Sequence, residues 1–299
     1  ALAISALMAW MLARLPRRIA ELGLVHRHEL SGTLHGLLRV RSFTQDDAHI
    51  FMTPDQIEPE VAGVIEMIDR FYRVFGFNYR VELSTRPPKA IGSIEMWNRA
   101  EAILERVLQE KGLPYRINEG DGAFYGPKID FHLEDCLGRS WQCGTIQLDF
   151  QMPGLFDLAY IGADGQKHCP VVIHRVIYGA IERFLALLIE HYAGAFPAWL
   201  APQQAVVIPI TERQHAYAAE VCSALRGAAF RVNLDDRSEK VGYKIREAQL
   251  KKIPYMLVVG EREAAAKQVA VRHREAGDLG PQPLERFIEQ LREVIKEKK

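Results

Sequence analysis

The stretch Ala195-Phe-Pro-Ala-Trp-Leu-Ala-Pro202 sets two prolines between a predicted helix and a predicted strand, and the periodicity differs on its two sides. Before it, short strands are expected at residues 37–51, 79–84, 122–133, 144–150 and 171–175, with long helices at 59–75, 94–111 and 176–192. Neighbouring strands without intervening helices favour an antiparallel sheet. After it, strands at 206–210, 230–234, 255–260 and 268–273 are separated by helices at 214–226, 240–252 and 284–296. That alternation indicates a compact α/β domain with a mixed, largely parallel sheet. The expected fold class is therefore α/β: an α+β domain over residues 1–198 and an α/β domain over 199–299.

Composition agrees with two domains. The chain has 299 residues, 48% hydrophobic and 25% charged, which suits large buried cores and argues against a disordered chain. Its formal net charge is zero, so a nucleic-acid partner would be held by a local basic patch and not by a global field. The four cysteines, Cys136, Cys143, Cys169 and Cys222, form no C-x-x-C pair and no disulfide framework. A reducing cytosol is the expected compartment. Residues 1–13 are apolar but have no basic stretch before them and are too short to span a bilayer, so they read as a buried helix, not a secretion signal or a membrane anchor.

The most informative run is Arg39-Val-Arg-Ser-Phe-Thr-Gln-Asp-Asp-Ala-His49. On a strand, alternate side chains share a face, so Arg39, Arg41, Phe43, Gln45, Asp47 and His49 are expected to point together. Guanidinium forks suit phosphate oxygens, an aromatic ring can stack on a purine, and a carboxylate can hold an ammonium group. Spacing alone leaves two readings open: a binding surface, or an edge strand with a charged outer face. Just upstream, His26-Arg27-His28-Glu29 precedes a loop at residues 30–35, so a hairpin is expected over the pocket.

The run Arg27-x-Glu29, a loop, then Arg39-Val-Arg-x-Phe43-Thr-Gln-Asp-Asp-Ala-His49 resembles motif 2 of the threonine-type class II aminoacyl-tRNA synthetases. Gly179-Ala-Ile-Glu-Arg183-Phe184 is similar to class II motif 3, with Gly179 and Arg183 expected on one helix face. The segments Ser84-Thr-Arg-Pro-Pro, Gly122-Ala-Phe-Tyr-Gly-Pro-Lys128 and Gln142-Cys-Gly-Thr-Ile-Gln-Leu-Asp-Phe150 resemble the same family, so the likeness runs along nearly the whole chain. It implies ATP binding by Arg27, Glu29, Arg39, Phe43, Gln142 and Arg183, with Arg27 and Arg183 also catalytic. It implies an amino-acid pocket of Gln45, Asp47, Tyr125 and Gln147, and Mg2+ bound with ATP.

The resemblance further implies a Zn2+ ion that reads the threonine hydroxyl, because a hydrophobic pocket cannot strongly reject the isostere valine. Two of its three ligands would be His49 and His174. The third family ligand is a cysteine that alignment through Leu15-Pro16 would put before Ala1, so this chain does not supply it. Two imidazoles without the thiolate make a weaker site. Cys143 occupies a packing position in the family and is not expected to substitute. Motif 1, which supports the family's homodimer, and the serine-editing domain also lie upstream in the family.

In the second domain, Asp235-Asp-Arg-Ser-Glu-Lys-Val-Gly-Tyr-Lys-Ile-Arg246, continuing to Gly260, resembles the anticodon-binding domain of several class II synthetases. Arg237, Lys240, Lys244, Arg246, Lys251 and Lys252 concentrate positive charge there, and the matched positions make Arg246, Glu263 and Arg272 the expected base readers. The function implied is ATP-dependent ligation of threonine to its tRNA through threonyl-adenylate. The alternative is a synthetase-like RNA-binding or regulatory protein that has lost turnover.

Overall fold

The computed structural model describes residues 15–298, so the apolar segment 1–13 lies outside the described residues. The chain divides into two compact units, the first ending at Glu190 and the second beginning at His191.

In the first unit, β1 (Arg17–His26) and β2 (Ser42–Met52) are followed by helix α1 (Ile57–Val74), β3 (Tyr79–Ser84) and helix α2 (Ile94–Glu110). Then come β4 (Tyr115–Asn118), β5 (Lys128–Glu134), β6 (Ser140–Asp149) and a single turn, α3 (Met152–Leu155). A short hairpin, β7 (Tyr160–Ile161) and β8 (Lys167–His168), precedes β9 (Val171–Val176) and helix α4 (Ile181–His191). Seven of these strands form one sheet in the order β1-β2-β9-β6-β5-β3-β4, antiparallel throughout except for the parallel β3–β4 pair.

The sheet follows from period-two alternation. Ala48, Ile50, Ile173, Ile146, Leu148, Ile129, Phe131, Val81 and Leu83 are all buried, and the residues between them on each strand are mostly polar. Helix α1 buries the stripe Ile57, Val61, Val64, Ile65, Ile68 and Tyr72 at helical spacing. It is tied to the end of β9 by the Tyr72 hydroxyl, which donates to the Ile177 carbonyl at 2.7 Å. Helix α2 starts at Ser93, whose hydroxyl accepts from the Met96 N–H. Truncating a fully buried member such as Ile68 to alanine would cost about 2–5 kcal/mol.

The second unit carries β10 (Ala205–Pro209), helix α5 (His215–Gly227), β11 (Val232–Leu234), helix α6 (Val241–Leu250) and β12 (Tyr255–Val259). Helix α7 (Glu261–Ala266), β13 (Gln268–His273), β14 (Gly277–Pro283) and helix α8 (Leu284–Lys296) complete it. The strand order is β11-β10-β12-β13-β14, with β10 parallel to both neighbours and β12, β13 and β14 joined by antiparallel pairings. The sheet is thus mixed in equal parts and not largely parallel. The cause is β14, a Gly- and Pro-rich strand without the β-branched signal that would announce it, which closes a hairpin on β13.

Candidate active site

The expected hairpin is present, with β1 paired antiparallel to β2, but β1 runs back to Arg17 and β2 begins at Ser42 instead of residue 37. Gly36, with φ of +48°, turns the chain ahead of it, and residues 37–41 form the return of the loop. Arg39 and Arg41 therefore do not continue the strand's alternation. Arg39 still reaches the cleft, where it pairs with Glu29 at 3.1 Å. Arg41 turns away and donates to the Glu29 carbonyl at 3.0 Å.

The cleft is lined by Arg27, Glu29, Arg39, Phe43, Gln142 and Arg183, the six residues expected to hold ATP. Gln45, Thr145 and Gly179 are also in its wall. Arg27 lies over the Phe43 ring at 5.2 Å, a cation–π contact that orients the guanidinium across the floor. The Gln142 amide nitrogen donates to Asp130 at 2.6 Å and to Thr145 at 2.9 Å. Arg183 donates to two carbonyls, Leu38 and Gln142, each at 2.7 Å, and no carboxylate pairs with it among the described residues. Burial lowers its pKa, with the Arg39 and Arg27 charges acting in the same direction. Such a cation is built to receive an anion.

Gly179 does not sit on the α4 helix with Arg183, since the helix starts at Ile181. Its φ is +72°, and a Cβ there would come within 2.5 Å of the Cys143 carbonyl. Glycine is required by the close approach of this turn to β6. Asp46, which the reading of the sequence passed over in favour of Asp47, clamps the same turn. Its carboxylate accepts from the backbone N–H groups of Ile177, Tyr178 and Gly179 at 2.9, 3.1 and 2.9 Å. Burial raises the Asp46 pKa, against the opposing pull of those three donors.

A second set of side chains lies along one row of the sheet. His49 faces His174 on β9, His174 faces Gln147 on β6, and Gln147 faces Lys128 on β5. The two imidazoles meet edge to face with centroids 4.7 Å apart, and Tyr125 packs against His174 at 5.4 Å. The Tyr125 hydroxyl donates to Gln147 Oε1 at 2.7 Å, and burial, with the nearby Asp149 and Asp47 charges, pushes its pKa up to about 12. Asp47 shares the face of His49 on β2, two residues along. The pKa of His49 is lowered by burial and by the neighbouring His174. Asp149, fully buried, stands 2.9 Å from His174 Nε2.

These donors fit two positions of a zinc site, with a carboxylate behind one imidazole as metal-ligating histidines commonly have. No cluster of three His, Cys, Asp or Glu side chains suited to a metal ion exists among the described residues. Cys143 cannot complete one: it is buried, and burial pushes its thiol up to about 12. The described residues thus do not form a whole zinc site.

Three further groups were not singled out in the sequence. Asp130 is 1% exposed and accepts from Ser84 at 2.9 Å, Thr145 at 3.0 Å, Gln142 and Lys128, so one carboxylate joins both halves of the site. Lys128 also pairs with Asp121 at 3.0 Å. Trp141 lies under Arg183, with the guanidinium 5.4 Å from its ring. The available signal was the alternation Lys128, Asp130 against Ile129, Phe131 and Leu133.

In the second unit the expected basic patch is smaller than its sequence. Lys244 is 2% exposed and donates to the Asp235 carbonyl, and Arg237 is held by Asp235 at 2.7 Å and Glu247 at 2.6 Å. Lys240, Arg246, Lys251 and Lys252 remain in the open. Glu263 caps its own helix by accepting from the Gly260 N–H at 2.9 Å. Arg272 keeps its Nε buried without a hydrogen-bond partner, and on the sheet it stands opposite Met256 of β12. Two surface clefts beside the basic run share Arg237 and Lys244 in their walls, and neither includes Arg246, Glu263 or Arg272.

The tRNA synthetase class II core domain (G, H, P, S and T) matches residues 5–192, and the anticodon binding domain matches residues 204–294. Threonine--tRNA ligase of Acetivibrio thermocellus is 67% identical over 284 residues, and that of Carboxydothermus hydrogenoformans is 64% identical over 284 residues. Each match takes in 95% of this chain and 45% of the relative, so the chain spans somewhat under half the length of those proteins. A crystal structure described as the RNA binding domain of threonyl-tRNA synthetase from Cryptosporidium parvum superposes with a TM-score of 0.93 at 42% identity, covering 98% of this chain and 74% of that one. A putative threonyl-tRNA synthetase from Aeropyrum pernix gives 0.81 at 29% identity, covering 99% and 73%. No helix among the described residues is long and apolar enough to cross a membrane. With its motif residues lining one cleft and an anticodon-type domain following, the chain belongs to the threonyl-tRNA synthetase family of class II aminoacyl-tRNA synthetases.

Proposed function

We propose that this chain supplies the ATP and threonine pocket of a threonine--tRNA ligase together with its anticodon-binding domain. The observation that carries the reading is Arg183, a half-buried guanidinium held by two carbonyls in a cleft shared with Arg27 and Arg39, with no carboxylate paired to it among the described residues. Mg-ATP fits that arrangement. Glu29 would receive the adenine amino group, Phe43 would offer its face to the base, and Arg27 and Arg183 would bind the phosphates.

Threonine would lie along the row of His49, His174 and Gln147, with Tyr125, Gln45 and Asp47 shaping its pocket and its carboxylate directed at the α-phosphate. Attack forms threonyl-adenylate and releases pyrophosphate. No side chain acts as nucleophile. The chain's own contribution is to align the two reactants and to stabilise the charge that grows on the phosphates through Arg27 and Arg183. A zinc ion, when bound by His49, His174 and a further ligand, would read the threonine hydroxyl, and no step above depends on it. The threonyl group then passes to tRNA, with Arg246, Glu263 and Arg272 proposed as contacts to the anticodon and a homodimer proposed as the working assembly. The cytosol is the proposed compartment.

ATP–pyrophosphate exchange with threonine and with valine tests the reading. Exchange that requires threonine and is lost in Arg183→Ala supports it. A folded chain that binds tRNA but neither ATP nor threonine supports the RNA-binding alternative instead.

A further inference from the structure

Trp141 has no part in the activity described above, yet three cationic or aromatic side chains converge on it. Arg183 lies 5.4 Å and Arg139 5.9 Å from its ring, and His35 stacks on it at 6.0 Å with 16° between the planes. The indole itself is fixed from behind. Its Nε1 donates to Asp135 at 2.9 Å, and the same carboxylate binds Arg139 at 2.6 Å and the Leu137 and Arg139 N–H groups at 2.9 Å each, which ties down the turn between β5 and β6. His35 and Leu38 both belong to the loop between β1 and β2, and the Leu38 carbonyl is one of the two acceptors holding Arg183. Within 3.3 Å of His35 Nε2 stands Arg139 Nη1.

One indole therefore supports the motif 3 arginine and the segment of the loop that fixes that arginine. A guanidinium held by two carbonyls, with no carboxylate paired to it among the described residues, depends on such a face for its placement. We propose that Trp141 is the positioning residue for Arg183: it holds the guanidinium at the phosphate end of the cleft and keeps residues 35–38 closed against it. The proposal rests on the ATP reading given above.

It is specific in which part of the nucleotide it affects. Binding of Mg-ATP and of adenosine to the 299-residue chain, measured calorimetrically, separates the phosphate contacts from the base contacts. In Trp141→Leu, ATP affinity is expected to fall about tenfold, the scale of a desolvated cation–π contact, with adenosine affinity kept within about twofold. Trp141→Phe keeps a weaker π face and loses the Nε1–H, and is expected to restore ATP affinity to within about threefold of the parent. Should Trp141→Leu not fold, the same ATP-against-adenosine comparison on His35→Ala carries the test, with ATP weakened selectively. Equal loss of ATP and adenosine in a folded variant, or unchanged ATP affinity in Trp141→Leu, overturns the proposal. A parent chain that is folded and binds neither ligand overturns the ATP reading itself, whereas selective failure in the variants concerns Trp141 alone.

Discussion

The Asp149 carboxylate lies 2.9 Å from Nε2 of His174, directly behind the imidazole that meets His49 edge to face across two paired strands. Asp149 is fully buried and also accepts from the Gln151 and Met152 N–H groups at 2.8 and 2.9 Å, so its own position is fixed. Removing its charge releases the His174 ring. Asp149→Asn is expected to weaken threonine binding about tenfold, the scale of a charged hydrogen bond, and to leave ATP affinity within about twofold. Calorimetric titration with each ligand checks this. Equal weakening of both would contradict the separation of the two halves of the site.

Gly179 cannot carry a side chain where it stands. Its positive φ and the 2.5 Å approach of an added Cβ to the Cys143 carbonyl both oppose alanine. Gly179→Ala is expected to lower stability by about 1–3 kcal/mol, read as a shift of the urea midpoint at unchanged slope. It should also weaken ATP, because the turn that Asp46 clamps leads directly into the helix that carries Arg183.

Asp130 is an example of a buried charge whose removal harms more than its presence helps. Asp130→Ala leaves the Lys128 ammonium, 13% exposed, with only the exposed Asp121 to pair it, and is expected to cost about 3–5 kcal/mol. Adding Lys128→Met should recover part of that loss. A double-mutant cycle in urea measures the coupling, and additive losses would show that the pair is not interdependent.

The turn between β5 and β6 gives a pH dependence. Asp135 is buried, which opposes its charge, yet donors from Trp141 and Arg139 hold its pKa well below the ordinary 3.8. A depressed carboxylate means that the unfolded chain takes up the proton first as pH falls. The stability it contributes is therefore present above pH 3.8 and is lost progressively as pH drops below that value. The urea midpoint of the parent should fall more steeply than that of Asp135→Asn below about pH 4, and parallel curves would contradict this.

Much of the site was legible because motif residues carry polar chemistry at period-two spacing. Phe43, Gln45, Asp47 and His49 alternate on β2 as the pattern requires. Arg39 escaped the pattern because Gly36 turns the loop before the strand begins, and it reaches the cleft through its ion pair with Glu29. The hairpin was legible but the extent of β1 was not, because Arg17, Arg18, Glu21 and His26 break the apolar signal of a strand that lies at the sheet edge, where Leu22 and Leu24 are exposed. Asp46 and Asp130 were invisible for a different reason. Their roles depend on the backbone N–H groups of Ile177–Gly179 and on side chains of neighbouring strands, which are brought together only by the fold. Lys244 misled in the opposite sense, since a lysine in a basic run turned inward to a carbonyl.

The central claim is that one cleft binds the two parts of an aminoacyl-adenylate. Titration of the chain with threonyl-sulfamoyl-adenosine, a stable analogue of threonyl-adenylate, tests it most directly. Saturable binding tighter than that of ATP, weakened at least about tenfold by Arg183→Ala and again by Phe43→Ala, is the expected result. A folded chain that shows no saturable binding, or binding that neither substitution changes, would contradict it.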